Sequence, residues 1–286
     1  MENSVVFEKP TLKGRLKSML RVDFRRMLKS KLFYIIVAIS LLTPILMTVM
    51  LTMMDGKVST DPQTGLPGEP MEGPDYAWQS IGAMPSLENN DTQEKAEEGG
   101  MEAMGAGMDV MAMCNINMAF MGVAVFVCLF ISDDFRSGYA KNLFTVRSKK
   151  TDYVISKTIV GFTCGALMLI AYFIGAMLGG AVSGLSFAFE GFTPANLVMC
   201  ILAKIFLMLV FVSIFTLISI GAKQRAWLSI CGSLGGGMLL FMMVSMITPL
   251  NSTFINVILC LVGGTLFAVG LGAISNVVLK KTSLVG

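Results

Sequence analysis

Six stretches of the sequence are apolar over the length that a helix needs to cross a lipid bilayer. A hydrocarbon core about 30 Å thick requires about 20 residues in helical conformation. The stretches are 32–54, 110–131, 158–183, 195–220, 227–248 and 254–279. Only 14% of the residues are charged, against about 25% in a typical soluble domain. The sequence therefore predicts an all-α polytopic membrane protein, with six transmembrane helices in one domain over 32–279.

The basic residues are concentrated in alternate segments between these stretches. Nine Lys or Arg residues lie in 1–31, six in 132–157, two in 221–226 and two in the tail 280–286. The other connecting segments carry only Lys57 and Lys95. Because basic loops are retained on the cytoplasmic side of a membrane, we expect the basic segments to be cytoplasmic. Both termini then lie in the cytoplasm and loop 55–107 lies outside.

The arm 1–31 combines apolar residues at helical spacing with basic residues around them. The apolar positions are Leu12, Leu16, Met19, Leu20, Phe24, Met27 and Leu28. This pattern is typical of a helix that lies in the membrane interface, with its basic face against anionic headgroups. We therefore predict an N-terminal amphipathic interfacial helix, bound to membrane lipids. A soluble helix packed on a partner protein is the alternative.

The outer loop 55–107 carries eleven Asp or Glu residues against two Lys. Its first half is rich in Pro and Gly, which predicts irregular structure. Its second half, from Glu88 to Glu102, is compatible with a polar helix that leads into the second span. The acidic charge predicts attraction for cationic molecules, although a solvated surface would have the same composition.

Several motifs that support enzyme chemistry are absent from the sequence. It contains no histidine, no GxxxxGK[ST] phosphate loop, no HExxH and no GxSxG. We therefore expect neither catalysis nor ATP hydrolysis by this chain, and no cofactor or metal ion bound to it. Methionines cluster at 101–113, and thioethers suit Cu(I). Packing is the favoured role for these residues, because methionine is also a flexible apolar filler.

The inner loop 132–157 mixes charges of both signs with apolar and aromatic residues. The candidate functional residues of this loop are Asp133, Asp134, Gly138, Lys141, Arg147, Tyr153 and Lys157. A connector between two helices could be much shorter. The composition predicts short helices that present charge and an apolar ridge to a cytosolic partner, and a solvated positive loop is the alternative.

The order of residues in this loop resembles the permeases of type-2 ABC exporters. In that family an acidic residue is followed by Gly, Lys or Arg, a short apolar stretch, a Ser/Arg/Lys cluster, an aromatic residue and Lys. The matching residues here are Asp134, Gly138, Lys141, Leu143, Arg147-Ser148-Lys149, Tyr153 and Lys157. The basic arm and six spans extend the resemblance over nearly the whole chain. The long acidic outer loop and the short turn 249–253 depart from the family.

The resemblance implies a transport subunit of a bacterial cell membrane that works in export. Such permeases pair as homodimers or heterodimers, and each docks a separate cytosolic ATPase, which holds ATP and Mg²⁺, through the inner loop. The seven inner-loop residues would couple the two proteins. We expect a change at Asp134 to disturb this contact without disturbing insertion, and a bulky side chain at Gly138 to obstruct a tight bend. The cargo would be a cationic or antimicrobial peptide or another amphiphile.

Three polar residues in or near the spans are candidates for the translocation path. Asn115 and Asn117 belong to the second span and could hydrogen-bond across helices or line the path. Lys204 lies inside the fourth span. A lysine at this depth either extends its ammonium group outward to the headgroups or faces a polar cavity.

Three other classes of function compete with the exporter subunit, and one of them is a non-transporting sensor or assembly protein. An ATP-independent secondary transporter or channel typically carries intramembrane acids or an internal repeat, and the sequence has neither. A membrane-embedded enzyme would need candidate catalytic residues. Nothing in the sequence indicates a nucleic-acid partner. A phosphate-loop ATPase encoded by a neighbouring gene would favour the exporter.

Overall fold

The computed structural model describes residues 12–60, 67–70, 73–78, 117–146, 150–188, 194–247 and 254–281. This part of the chain forms eight helices and one two-stranded antiparallel sheet. The elements are α1 (Leu12–Lys29), α2 (Lys31–Met54), β1 (Val58–Thr60), β2 (Pro67–Pro70), α3 (Asn117–Arg136), α4 (Tyr139–Val146), α5 (Thr151–Val182), α6 (Pro194–Ala222), α7 (Ala226–Ile247) and α8 (Phe254–Lys281).

Four of the described helices are long and apolar enough to cross a membrane. They are α2, α5, the segment Leu197–Ala222 of α6, and α8, and the described part of α7 contains a shorter apolar helix, Ala226–Leu240. Their mean hydropathy over 18 residues is between 2.1 and 2.8. The chain is therefore membrane-embedded and predominantly helical. Helices α2, α6, α7 and α8 begin and end within two residues of the predicted stretches.

The predicted bounds of the second span, the third span and the inner loop differ from the structure. Helix α3 continues to Arg136, and α5 begins at Thr151, so both ends of the predicted loop 132–157 belong to the long helices. Hydropathy marks where a helix meets lipid, whereas the helix itself continues while its backbone hydrogen bonds are made. Residues 110–116 lie outside the described residues.

The first half of the outer loop is more regular than predicted. Strands β1 and β2 pair antiparallel, with Val58 opposite Pro70 and Thr60 opposite Pro67. Proline is compatible with this ribbon because each strand of a two-stranded sheet has one unpaired edge. The expectation of irregular structure is wrong for these residues. The helix predicted from Glu88 to Glu102 lies outside the described residues.

A short segment of the outer loop is hydrogen-bonded to the turn that follows α5. The amide of Ala77 donates to the carbonyl of Ser186 over 2.9 Å, and Trp78 Nε1 donates to the carbonyl of Phe187 over 3.1 Å. Trp78 is buried against Tyr172 and neighbouring residues of α5 and α6. Two directional bonds and one large buried ring therefore hold the loop at this end of the helices.

Glycine allows α2 and α5 to approach closely. A Cβ atom on Gly175 would overlap the carbonyl oxygen of Leu41, and one on Gly179 would lie 3.0 Å from the Cα atom of Ile45. Close contact between helix backbones is a common way to pack helices in lipid. Gly175 and Gly179, four positions apart on α5, thus serve packing within this one subunit.

The helices at the centre of the bundle are more buried than the helices at its edge. The main core lies among α3, α5 and α6, where Phe126, Met168 and Phe211 are almost completely buried. By contrast, only 28% of the most apolar window of α2 and 17% of that of α8 is buried. The exposed faces of α2 and α8 carry large apolar side chains, as expected for helices that face lipid.

Helix α1 packs against α5 with one face. Its buried residues Met19, Asp23 and Met27 recur every four positions, which is the spacing of one face of a helix. The basic residues Lys17, Arg21 and Arg25 of the other side are exposed. The centre of the buried face is thus a carboxylate, and the chain must supply it with a partner.

Candidate functional site: a buried ion cluster below the inner loop

Asp23 of α1 meets Lys157 of α5 and Asp134 of α3 where α3 ends and α5 begins. Lys157 Nζ lies 2.9 Å from Asp23 Oδ1 and 2.7 Å from Asp134 Oδ2. All three side chains are completely buried. Each carboxylate therefore has a charged hydrogen-bond donor, which a buried charge requires.

Arg26 supplies the second cation of the cluster. Its Nη1 atom forms an ion pair with Asp134 and lies 3.8 Å from Asp23 Oδ1, and Nη2 lies 3.8 Å from Asp133 Oδ2. Burial acts to lower the pKa of Arg26, but the nearby carboxylates of Asp134 and Asp23 raise it above its ordinary value. The cluster therefore holds its guanidinium charged, and two buried carboxylates face two cations.

Hydroxyl groups and aromatic rings complete the cluster. The Tyr153 hydroxyl donates to Asp134 Oδ2 over 3.0 Å, and Ser156 Oγ donates to Asp23 Oδ2 over 2.6 Å. The rings of Phe130 and Tyr139 lie beside the cations, with Lys157 Nζ 4.2 Å from the first centroid and Arg26 Cζ 4.3 Å from the second. Cation–π contact of this kind strengthens where water is excluded.

Four helices meet in this cluster, and two further contacts extend it. Arg15 Nε of α1 donates to Asp152 Oδ2 of α5 over 3.0 Å. Lys150 Nζ, at the start of α5, donates to the carbonyl of Leu279 in α8 over 3.0 Å. The arm, both ends of the inner loop and the last helix are thus joined by charged or polar contacts. The arrangement suits mechanical linkage between these elements.

The predicted coupling residues separate into two groups. Asp134, Tyr153 and Lys157 are buried and bond to one another, whereas Asp133 and Lys141 are exposed. Arg147 lies outside the described residues. The sequence predicts that a change at Asp134 leaves insertion undisturbed, but its carboxylate is an internal partner of two cations, so we expect such a change to affect packing as well.

Gly138 forms the bend between α3 and α4. Its φ angle is +75°, in the left-handed region that glycine adopts without steric cost. Among the residues that the structure describes, a Cβ atom there would meet no atom within 4 Å. The predicted bend is therefore present, but the expectation that a side chain would be obstructed is wrong: the backbone conformation, and not space, favours glycine.

The candidate path residues are only partly described. Asn117 is the first residue of α3, and Asn115 lies outside the described residues. Lys204 is buried, with 4% of its surface exposed, and its Nζ atom is 5.7 Å from the ring centroid of Phe173 on α5. In the structure this ammonium group lies between helices.

Three members of the cluster, Asp23, Arg26 and Ser156, were not predicted from the sequence. One signal for Asp23 is available in hindsight. It is the single acidic residue of α1 and lies four positions from both Met19 and Met27 on the apolar face. An acid at the centre of an apolar stripe requires a buried cation, and Lys157 is that cation.

Comparison with protein-family models, with curated proteins and with solved structures finds no significant match to the chain. Within the part of the chain that the structure describes, no group of three or more His, Cys, Asp or Glu side chains is placed to hold a metal ion. The helices, the ion cluster and the inner loop are therefore the features that bear on function.

Proposed function

We propose that this chain is the permease subunit of an ATP-binding-cassette exporter in a bacterial cell membrane. Its six apolar helices, including α3 and α7, would cross the membrane with both termini in the cytoplasm. Two permease chains, identical or different, would form the translocation path between them. A separate cytosolic ATPase would bind each inner loop and supply ATP hydrolysis with Mg²⁺.

The observation that carries this proposal is the way the inner loop is anchored. Helix α4 exposes Lys141, Asn142 and Thr145, while the helices on both sides of it are tied together by Asp134 and Lys157. A displacement of α4 by a bound protein would therefore move α3, α5 and the arm together. An exporter driven by a separate ATPase needs such a stiff connection between the docking surface and its membrane helices.

The acidic outer loop supports a proposal for the cargo. Eleven carboxylates against two lysines create a negative potential, which raises the local concentration of cations. We therefore propose a cationic peptide or another positively charged amphiphile as the cargo. Competition between such a peptide and a neutral analogue in transport assays would test the charge preference.

Co-expression with a cytosolic phosphate-loop ATPase encoded beside this chain tests the proposed partnership. We expect the ATPase to co-purify with the wild-type chain and with a Lys57→Glu control, whose exposed lysine is in the outer loop. Lys141→Glu reverses an exposed charge of α4 and should weaken co-purification without lowering thermal stability. ATP hydrolysis by the purified chain alone, or equal ATPase recovery with both variants, would contradict the proposal.

One observation favours an ATP-independent secondary transporter or channel as the second candidate. Lys204 is buried inside α6, and buried intramembrane charges often mark a transport path. Proteoliposomes without any ATPase separate the two functions. Cargo or ion flux that depends on Lys204 and needs no ATP would favour the second candidate.

A further inference from the structure

A cavity of about 500 Å³ lies where α1 ends and α2 begins. Its walls come from three places: the α1–α2 junction, the last turns of α3, and the turn between α6 and α7, represented by Gln224 and Ala226. The volume is within the range of small-molecule sites. The ion cluster borders the cavity through Arg26 but does not fill it.

The charged side of this cavity is mainly basic. Arg26, Lys29 and Arg136 line it, together with one acid, Asp133. Lys29 and Arg136 are exposed, and within the described residues neither forms an ion pair. Asp133 is 3.8 Å from Arg26, so its charge is partly offset there. Two cations are therefore available to an anionic ligand.

One wall of the cavity is apolar. Leu32 of α2 and Phe126, Leu129 and Phe130 of α3 form it. A soluble anion would use the cations and leave this wall in contact with water. A ligand with a charged end and a hydrocarbon end would cover both parts of the site.

Ser132 provides an independent indication of a ligand. The residue lines the cavity and is 3% exposed, and its buried Oγ atom has no hydrogen-bond partner among the described residues. Leaving a buried hydroxyl unpaired is costly. A phosphate or ester oxygen in the cavity would satisfy it once the serine side chain rotates toward the cavity.

Two exposed aromatic side chains near the cavity support a position at the level of the lipid headgroups. Tyr34 follows the cavity residue Leu32 and is 57% exposed, and Trp227 follows Ala226 and is 74% exposed. Tyrosine and tryptophan are enriched at membrane interfaces, where their rings meet apolar groups and their polar atoms meet water. The cavity thus lies where phospholipid phosphates are available.

We propose that this cavity binds the phosphate headgroup of an anionic phospholipid. Lys29 and Arg136 contact the phosphate, Ser132 hydrogen-bonds to a ligand oxygen, and the first part of an acyl chain covers the partly exposed Leu129 and Phe130. A bound lipid would join the end of the arm to α3. The site is independent of the exporter proposal, because it requires no ATPase and no cargo.

Lipid titration of the delipidated full-length chain, followed by native mass spectrometry, tests this site. The probes are phosphatidylglycerol, neutral phosphatidylcholine, and inorganic phosphate as a competitor. The test variant Lys29→Gln/Arg136→Gln removes both available cations, and its matched control Lys17→Gln/Arg25→Gln removes two exposed cations of the arm that do not line the cavity. A third variant, Leu129→Trp, fills the apolar side. Thermal unfolding of each variant reports folding.

We expect one phosphatidylglycerol molecule to bind selectively and the Lys29/Arg136 double variant to bind it about 25-fold more weakly, since each basic residue near an anionic surface contributes about fivefold. The control should retain wild-type affinity, and Leu129→Trp should lose binding while remaining folded. Equal weakening in the control, or equal affinity for phosphatidylcholine, would overturn the proposal. Displacement by inorganic phosphate at matched concentration would assign the site to a soluble anion instead.

Discussion

Replacing Lys157 with methionine removes the cation that lies within 3 Å of both Asp23 and Asp134. Methionine has nearly the length and apolar volume of the lysine side chain, so the change is mainly one of charge. Arg26 remains, but its guanidinium is 3.8 Å from Asp23. Two buried carboxylates would then share one partly exposed cation.

The loss of stability expected for Lys157→Met follows from the burial of the cluster. Removing one partner of a buried ion pair costs about 3–5 kcal/mol, because the remaining charge is left without compensation. An exposed ion pair contributes about 0–1 kcal/mol. Lys157 and both carboxylates are completely buried, so we expect Lys157→Met to lower the free energy of unfolding by about 3–5 kcal/mol.

A double-mutant cycle separates charge from packing. Asp23→Asn alone should also destabilise the chain, but Asp23→Asn combined with Lys157→Met removes one charge of each sign. The combined loss should be smaller than the sum of the single losses by about 1–3 kcal/mol, as contacting residues show. Thermal and denaturant unfolding in lipid nanodiscs measure these values, and Lys141→Met, at an exposed lysine of α4, is the control.

Two results would refute this reasoning. If Lys157→Met costs no more than the Lys141→Met control, the lysine does not compensate buried carboxylates. If the losses from Asp23→Asn and Lys157→Met simply add, the two residues do not interact. Either result would remove the mechanical linkage on which the proposed coupling depends.

Three further predictions concern other parts of the fold. Gly138→Val should lower the free energy of unfolding by about 1–2 kcal/mol because valine is strained at positive φ. Gly138→Asn should lower it less in the same assay. Equal losses would indicate that φ is not the constraint. Gly175→Ala should destabilise the α2–α5 contact by about 1–3 kcal/mol, whereas Gly263→Ala, which meets open space, should not. In a cysteine-free chain, single cysteines at Ser86 and Ser148 should label with an impermeant reagent from outside and from inside respectively, and the reverse pattern would invert the proposed topology.

The positions of most helices could be predicted because hydropathy is a local property. A run of about 20 apolar residues can satisfy its backbone in lipid only as a helix, so α2, α6, α7 and α8 follow from the composition of their own segments. Residues Leu12–Lys29 form helix α1, and the predicted position of this helix in the membrane interface stays a prediction. The helix bounds predicted near Asp134 and Lys157 differ most from the structure. Charged residues end the apolar run at these positions, but the helix itself extends past them.

The ion cluster could not be predicted in the same way because its members are far apart in sequence. Asp23 and Lys157 are separated by 134 positions, and their contact depends on how α1 packs on α5. Burial also separates Asp134, which the sequence predicts on a docking surface, from the exposed Asp133. The pairing of Val58 with Pro70 could not be predicted for the same reason, because it requires a second strand twelve positions away.

The sequence by itself determined which segments are apolar enough for lipid, where basic charge accumulates and where glycine permits a bend, since each depends on nearby residues. The tertiary structure decided which charges are buried, which glycines touch a neighbouring backbone, and where a cavity remains between α1, α3 and the α6–α7 turn. The physical reason is that the stability of a buried charge or a close helix contact depends on the atoms opposite it, and only the packing of distant helices supplies those atoms.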